Sequence, residues 1–226
     1  MTTVDWRRVE AVIFDLDGTL YAQAPLRRRM LGLLLGHCLM NPRDARLPFV
    51  LQRFRQCREA LAEAEAAGIE ELQFQRPAAA IGIDPALLRQ LVHEWLEHRP
   101  LPYLAACRAP GAVALINRLR ATGRPVAVFS DYPVAAKLRA LGIRVDLAVA
   151  AVDPEIDRLK PHPRGLEVIQ RKLGLPASAC LLIGDRPERD GHCAARVGMP
   201  FLRKIWRAPE TPGTVLDFFD FAATLP

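Results

Sequence analysis

The chain has 226 residues, half of them hydrophobic and a quarter charged, a composition that suits one compact unit with a sizeable core and excludes a disordered or fibrous chain. Its net charge of +6 invites a nucleic-acid partner, but the arginines are spread out and only Arg27-Arg28-Arg29 forms a tight run, so the excess fits anionic phosphate substrates better and no nucleic-acid partner is expected. The five cysteines, Cys38, Cys57, Cys107, Cys180 and Cys193, are odd in number and lack paired ligand spacing; with no targeting pattern around Trp6-Arg7-Arg8, they point to a reducing, cytoplasmic setting.

Residues 9–14 are mostly β-branched or aromatic and read as a strand buried on both faces, the kind found inside parallel sheets. Asp15 and Asp17 follow with Leu16 between them, so in an extended backbone both carboxylates leave the same side of the strand's carboxyl end. Two like charges there repel, and a divalent cation offsets that cost. Gly18 permits the turn such a site needs. A plain Asp-Gly hairpin turn accounts for Asp17 and Gly18 but not for Asp15.

From residue 21 to 109 the pattern turns helical, with no strand-like run before Arg124. Pro25 opens a helix reaching about Met40, Asn41-Pro42 breaks it, and residues 44–67 carry apolar side chains at helical spacing up to Gly68. Residues 69–80 read as a third helix, and Asp84-Pro85 supplies the N-cap and first-turn proline of a fourth reaching about His98. The expectation is a helical subdomain over 21–109, joined by two linkers to a core made of 1–20 and 110–226. Within it, residues 30–40 are apolar nearly all round. That stretch is too short to span a bilayer, so no stable membrane insertion is expected; it reads as a central helix buried by its neighbours, with Gly32 and Gly36 allowing close packing.

Pro110-Gly111 begins the return. Helices are expected over 112–122, 133–140, 164–173 and 187–197, alternating with strands over 124–130, 147–152, 180–183 and 200–203. This alternation argues for an α/β fold: a doubly wound parallel sheet, Rossmann-like, with an inserted α-helical subdomain and ligands outside the strands' carboxyl ends. His37, His93, His98, His162 and His192 show no ligand spacing.

Four short motifs fall in order at the ends of these strands: Asp15-x-Asp17-x-Thr19, Ser130 closing Val-Ala-Val-Phe-Ser, Lys160-Pro161, and Gly184-Asp185 through Asp190. In this ordered set, which spans about three quarters of the chain, the sequence resembles the haloacid dehalogenase (HAD) superfamily of phosphatases. The resemblance implies that Asp15 is the nucleophile of an aspartyl-phosphate intermediate, and that Asp17 carries the proton to the leaving alcohol and from the attacking water. It implies Mg²⁺ held by a carboxylate oxygen of Asp15, the backbone carbonyl of Asp17, and Asp185. Asp190 would bind a metal-bound water or orient Lys160, with a helix-cap carboxylate as its alternative. Ser130 would donate to phosphate, and Lys160 would offset the crowded negative charge. An insertion just after the first motif is, in that family, a C1-type cap that opens and closes over the site. Asp131, where many relatives carry Asn, and Arg186 and Arg189 depart from the common pattern and bear on substrate more than on chemistry.

Taken singly, Ser130 reads as a turn cap and Lys160 as an exposed loop lysine; the ordered set reverses this. The leading expectation is Mg²⁺-dependent hydrolysis of a small phosphorylated metabolite by a monomer or homodimer. Dehalogenation has no leaving alkoxide for Asp17 to protonate. Imine-based phosphonate cleavage needs a cap lysine, whereas Lys137, Lys160, Lys172 and Lys204 all fall in the core. A phosphomutase acting on a sugar phosphate stays open, and the intact carboxylate set argues against a catalytically silent binding module. Phosphoglycolate, sugar phosphates, nucleotides and a prenyl-linked phosphate are all candidate substrates.

Overall fold

Alternate residues of the three central strands enter two different apolar clusters, which is the period-two signature of a sheet covered on both faces. Val12, Phe14, Val126, Val128, Leu181 and Ile183 face one cluster; Ala11, Ile13, Ala127, Phe129, Cys180 and Leu182 face the other. In the computed structural model, which describes residues 4–207, 214–215 and 217–225, these strands are β1 (Ala11–Phe14), β2 (Val126–Ser130) and β4 (Cys180–Gly184), every residue of them buried. With β3 (Leu147–Ala150), β5 (Phe201–Lys204) and β6 (Thr214–Val215) they form, among the described residues, a six-stranded sheet of order β3-β2-β1-β4-β5-β6. All pairings are parallel, and Phe14 lies level with Val128 on one side and Ile183 on the other. Strand order reverses between β1 and β4, so the crevice at their carboxyl ends is where such a sheet binds ligands.

Helices α6 (Ala112–Ala121), α7 (Ala135–Leu141) and α10 (Phe218–Ala223) cover the first face; α8 (Arg164–Leu173) and α9 (His192–Val197) cover the second. Fully buried phenylalanines 14 and 129 mark the two faces, each side chain contributing about 1.5–3 kcal/mol through burial. The sequence expectation for 187–197 divides into a π-helical turn, Pro187–Gly191, followed by α9. Strand β6 and helix α10 have no counterpart in that reading.

Between β1 and α6 the described elements are helical: α1 (Gln23–Met40), a 3-10 turn at Pro42–Asp44, α2 (Leu47–Glu63), α3 (Ile69–Ile81), α4 (Pro85–Val92) continuing as a π-helical turn at His93–His98, and α5 (Leu101–Cys107). Asp84 caps α4 as its sequence suggests, accepting from the Ala86 amide at 2.7 Å. Helix α2 starts at Leu47 rather than near Asp44, because Pro42 opens the separate 3-10 turn. Leu47, Leu51, Phe54, Phe74, Leu88 and Trp95 build an apolar cluster within the insertion itself. The chain enters and leaves it along two adjacent segments: the Ala22 amide donates to the Cys107 carbonyl at 2.8 Å and the Ala109 amide to the Leu20 carbonyl at 2.9 Å.

One expectation fails here. Helix α1 is not buried by its neighbours: Leu26 is its only buried residue, Leu31, Leu35, Leu39 and Met40 are exposed, and nothing lies within 4 Å of a Cβ built on Gly32 or Gly36. Apolar composition reports what a helix is able to bury, not whether a neighbour lies against it. Among the described residues no helix is long and apolar enough to cross a membrane.

Candidate active site

The register places Asp15, one residue beyond β1, beside Gly184 at the end of β4, with Ser130 ending β2 on the other side. The Asp15 amide donates to the Ile183 carbonyl at 2.8 Å, which fixes the nucleophile candidate's backbone to the neighbouring strand. Two glycines make this close approach possible. A Cβ on Gly18, whose φ is +109°, would lie 2.2 Å from Asp185 Oδ2, and one on Gly184 would lie 2.5 Å from the Asp190 carboxylate carbon.

Lys160 is 2% exposed and ties two carboxylates together. Its Nζ donates to Asp15 Oδ1 and Asp190 Oδ1, both at 2.6 Å, and to the Phe129 carbonyl at 3.3 Å. Its own backbone is held from both sides, its amide by Asp131 Oδ1 at 3.0 Å and its carbonyl by Arg189 at 2.8 Å. Burial works against the Lys160 charge, but Asp15 and Asp190 raise its pKa well above the ordinary lysine value. Burial pushes the Asp15 carboxyl well above the carboxylate range against the pull of Lys160, with Asp190, Asp185 and Asp17 adding to the rise. Besides the bond from Lys160, Asp190 accepts from the Arg186 amide at 3.1 Å.

The Asp17 carboxylate has a different set of partners. Oδ2 accepts from Ser130 Oγ at 2.9 Å, and Oδ1 accepts from Lys137 Nζ at 2.5 Å and from the Tyr21 hydroxyl. Burial opposes ionisation, yet the Lys137 charge and these three bonds hold the Asp17 carboxyl below its usual range. Its backbone carbonyl accepts from the Gln23 side chain, which leaves a second lone pair for a metal. Ser130 therefore gives its proton to Asp17 and accepts the Tyr132 amide at 3.1 Å. Thr19 is fully buried with its hydroxyl unpartnered.

Carboxylate oxygens of Asp15, Asp185 and Asp190 lie within 4.8 Å of one another. Two buried oxygens of this set, Asp15 Oδ2 and Asp185 Oδ1, have no hydrogen-bond partner. Burial, then the charge of Asp190, pushes the Asp185 carboxyl up to about 6. Orphaned, crowded, oxygen-only donors fit a hard divalent cation. Among the described residues no histidine or cysteine joins such a group. Cys193 is a structural thiol: it is buried, burial pushes it up to about 12, and it donates to the His162 carbonyl at 3.4 Å.

Lys137 and Tyr21 are residues of the candidate site that the motif reading missed. A signal for Lys137 was present, since Val134, Lys137, Leu138 and Leu141 follow i, i+3, i+4, i+7 spacing and are all buried. The lysine occupies an apolar-stripe position. Tyr21 lies just past the first motif and carries no comparable mark. Arg186 and Arg189, noted as departures, reach the insertion: both pair with Glu59 on α2, Arg186 at 3.2 Å. Beside the site, a cavity of about 280 Å³ lies between the insertion and the core, lined by Arg58, Gln73, Phe74 and Arg89 on one side and Tyr132 and Pro133 on the other.

A parallel sheet with a helical insertion after its first strand, and carboxylates gathered at its switch point, defines a hydrolase of the haloacid dehalogenase type. The model of the haloacid dehalogenase-like hydrolases matches residues 9–198, and the chain belongs to that family. The phosphoglycolate phosphatase of Rhodospirillum rubrum is 28% identical over 95% of this chain and 88% of its own length. Among solved structures, a 2-haloacid dehalogenase from Pseudomonas syringae pv. Tomato aligns with a TM-score of 0.64 at 22% identity, over 96% of this chain and 97% of that one. A HAD phosphatase from Thermococcus onnurineus aligns at 0.64 and 18%, over 95% and 97%. These two likenesses show the shared fold, which hosts both chemistries, so activity has to be argued from the site.

Proposed function

We propose that the protein is a Mg²⁺-dependent phosphatase that hydrolyses a small phosphomonoester through an aspartyl-phosphate on Asp15. The observation that carries this reading is the division of labour between the two leading carboxylates: Asp15 is tied to Lys160 beside the orphaned oxygens, whereas Asp17 is turned to hydroxyl and ammonium donors. Asp15, Asp185 and the Asp17 carbonyl would hold Mg²⁺, with Asp190 beside them; the ion supplies positive charge against the phosphoryl oxygens.

In the first half, an Asp15 oxygen bonds to phosphorus as the bond to the leaving oxygen breaks; Asp17, ionised in the free protein, would take up a proton from solvent when the bound phosphate adds its negative charge beside it, and pass that proton to the leaving oxygen. In the second half, water attacks the aspartyl-phosphate, gives its proton to Asp17, and phosphate leaves with Asp15 restored. Lys160 offsets charge on Asp15 throughout. The helical insertion, residues 21–109, is the cap in this reading, and the cavity between it and the core takes the leaving group. Phosphoglycolate, named in the curated relatives, is the first substrate to try.

A phosphomonoester panel with and without excess EDTA tests this, together with rapid-quench labelling. Turnover should require Mg²⁺, a phosphoenzyme should form in the wild type, and Asp15→Asn should form none while turnover falls by ~10⁴ or more. Undiminished turnover in EDTA, or a labelled phosphoenzyme in Asp15→Asn, refutes the scheme.

A further inference from the structure

Lys137 is 7% exposed, and burying a lysine is costly unless its charge is paired. Its Nζ meets Asp17 Oδ1 at 2.5 Å and stands 5.0 Å from the centre of the Tyr132 ring. The side chain comes from α7, the helix that follows β2, so the same segment delivers two of the three donors on Asp17: Ser130 at the strand end and Lys137 in the first turn of the helix. Tyr21, from the far side of the first motif, closes the set. Three donors converging from two segments leave the Asp17 carboxylate one rotamer, and the charge-assisted bond is the strongest of them.

We propose that Lys137 is a positioning residue for proton transfer: its ammonium fixes the Asp17 carboxylate between Ser130 and Tyr21, at the place from which it serves the leaving oxygen and the attacking water. This rests on the phosphatase reading above. Lys137 acts through Asp17 and not on phosphate, whose charge Lys160 and the cation held by the Asp15–Asp185–Asp190 group would meet. Its α7 position on the buried stripe explains why a lysine is tolerated there. The stripe carries it inward to the carboxylate, where a leucine would only pack. The conservative Lys137→Arg retains charge but carries a planar fork in place of a compact ammonium, so it restores part of the function and not all.

The test compares Lys137→Met and Lys137→Arg with the wild type on p-nitrophenyl phosphate and on an alkyl phosphomonoester, with inorganic phosphate as inhibitor. Misplacing the proton carrier matters most for a poor leaving group. Lys137→Met should therefore lose about 10²-fold on the alkyl ester and far less in the rapid-quench phosphorylation step on the nitrophenyl ester. The inhibition constant for phosphate should stay unchanged, and Lys137→Arg should recover part of the alkyl-ester rate. Equal losses in the phosphorylation step on both esters, or weakened phosphate inhibition, overturn the proposal in favour of a purely structural or phosphate-binding lysine. A crystal structure of Lys137→Met reads the positioning without turnover: the Asp17 carboxylate should leave the Ser130 and Tyr21 hydroxyls, and an unmoved carboxylate refutes the inference. If the wild type hydrolyses neither ester, the phosphatase reading fails while this structural arm still decides the role of Lys137. Lys137→Gln, which keeps a donor without charge, takes the place of Lys137→Met if that variant does not fold.

Discussion

Replacing Lys160 with methionine removes the one ammonium between Asp15 and Asp190 and leaves a similar volume of side chain. Both contacts are 2.6 Å and all three side chains are at least nine-tenths buried. Breaking a buried ion pair by deleting one partner costs about 3–5 kcal/mol, because the charge left behind stays desolvated. For a chain of 226 residues, each kcal/mol shifts Tm by about 2–4 °C, so the metal-free variant should melt some 6–20 °C below the wild type at pH 8. Two further signs follow from the same geometry. Mg²⁺ should stabilise Lys160→Met more than the wild type, since the carboxylates it meets have lost their competing cation; saturation at ~100 times Kd is worth about 2.7 kcal/mol. The deficit should also shrink on acidification, because burial already favours the protonated Asp15 carboxyl and the lysine no longer opposes it. Differential scanning calorimetry with EDTA or MgCl₂, at several pH values, reads all three. An unchanged Tm in EDTA, or equal Mg²⁺ stabilisation of both proteins, would refute the view that Lys160 and the metal share one cluster of negative charge.

Asp185 sets a pH dependence. Its folded pKa is raised from the ordinary value to about 6, so its contribution to stability is fully present below the unfolded value and is lost as pH rises through about 6. Thermal melts of the metal-free protein should show that loss, Mg²⁺ should flatten it, and Asp185→Asn should abolish it; an identical slope in Asp185→Asn contradicts the assignment. Gly18→Ala should lower Tm, since a side chain is strained at a φ of +109°, and because the atoms it strikes are the movable end of Asp185 it should also displace that carboxylate and weaken Mg²⁺ affinity in calorimetric titration. Wild-type affinity in that variant would remove Asp185 from the metal set.

The parts of the fold legible in the sequence were those with a single physical solution. β1, β2 and β4 are runs of apolar residues that only a sheet covered on both faces buries, and α8 ends at Gly174 in a left-handed conformation, as its sequence indicates. The π-helical turn at His93–His98 was invisible because it continues the apolar pattern of α4. β6 is only two residues long and below any periodic signal. The exposure of α1 was misjudged because neighbours, not composition, decide burial. At the site, the motif residues Asp15, Ser130, Lys160, Asp185 and Asp190 come together, while Lys137, which belongs to none of the four motifs, entered only as a lysine of the core. Reading its stripe position against its charge would have singled it out.

The charges at the carboxyl ends of the central strands link these elements. Four carboxylates, Asp15, Asp17, Asp185 and Asp190, meet two lysines: Lys160 is spent on Asp15 and Asp190, and Lys137 on Asp17. Asp185 makes no ion pair with either; burial first, and then the charge of Asp190, raise its pKa against the pull of Lys160. Burial favours the protonated forms of Asp15 and Asp185 in the metal-free protein; with all four carboxyls ionised, two charges are left beyond the two ammonium groups, which one divalent cation would neutralise. A monovalent cation would leave half of that charge facing a phosphate dianion, at a cost in a low-dielectric site of several kcal/mol. The same arithmetic explains why the two lysines cannot be exchanged: moving either cation to the other carboxylate would leave a buried charge unpaired in one half of the site, so each lysine is tied to the chemistry of the carboxylate it holds.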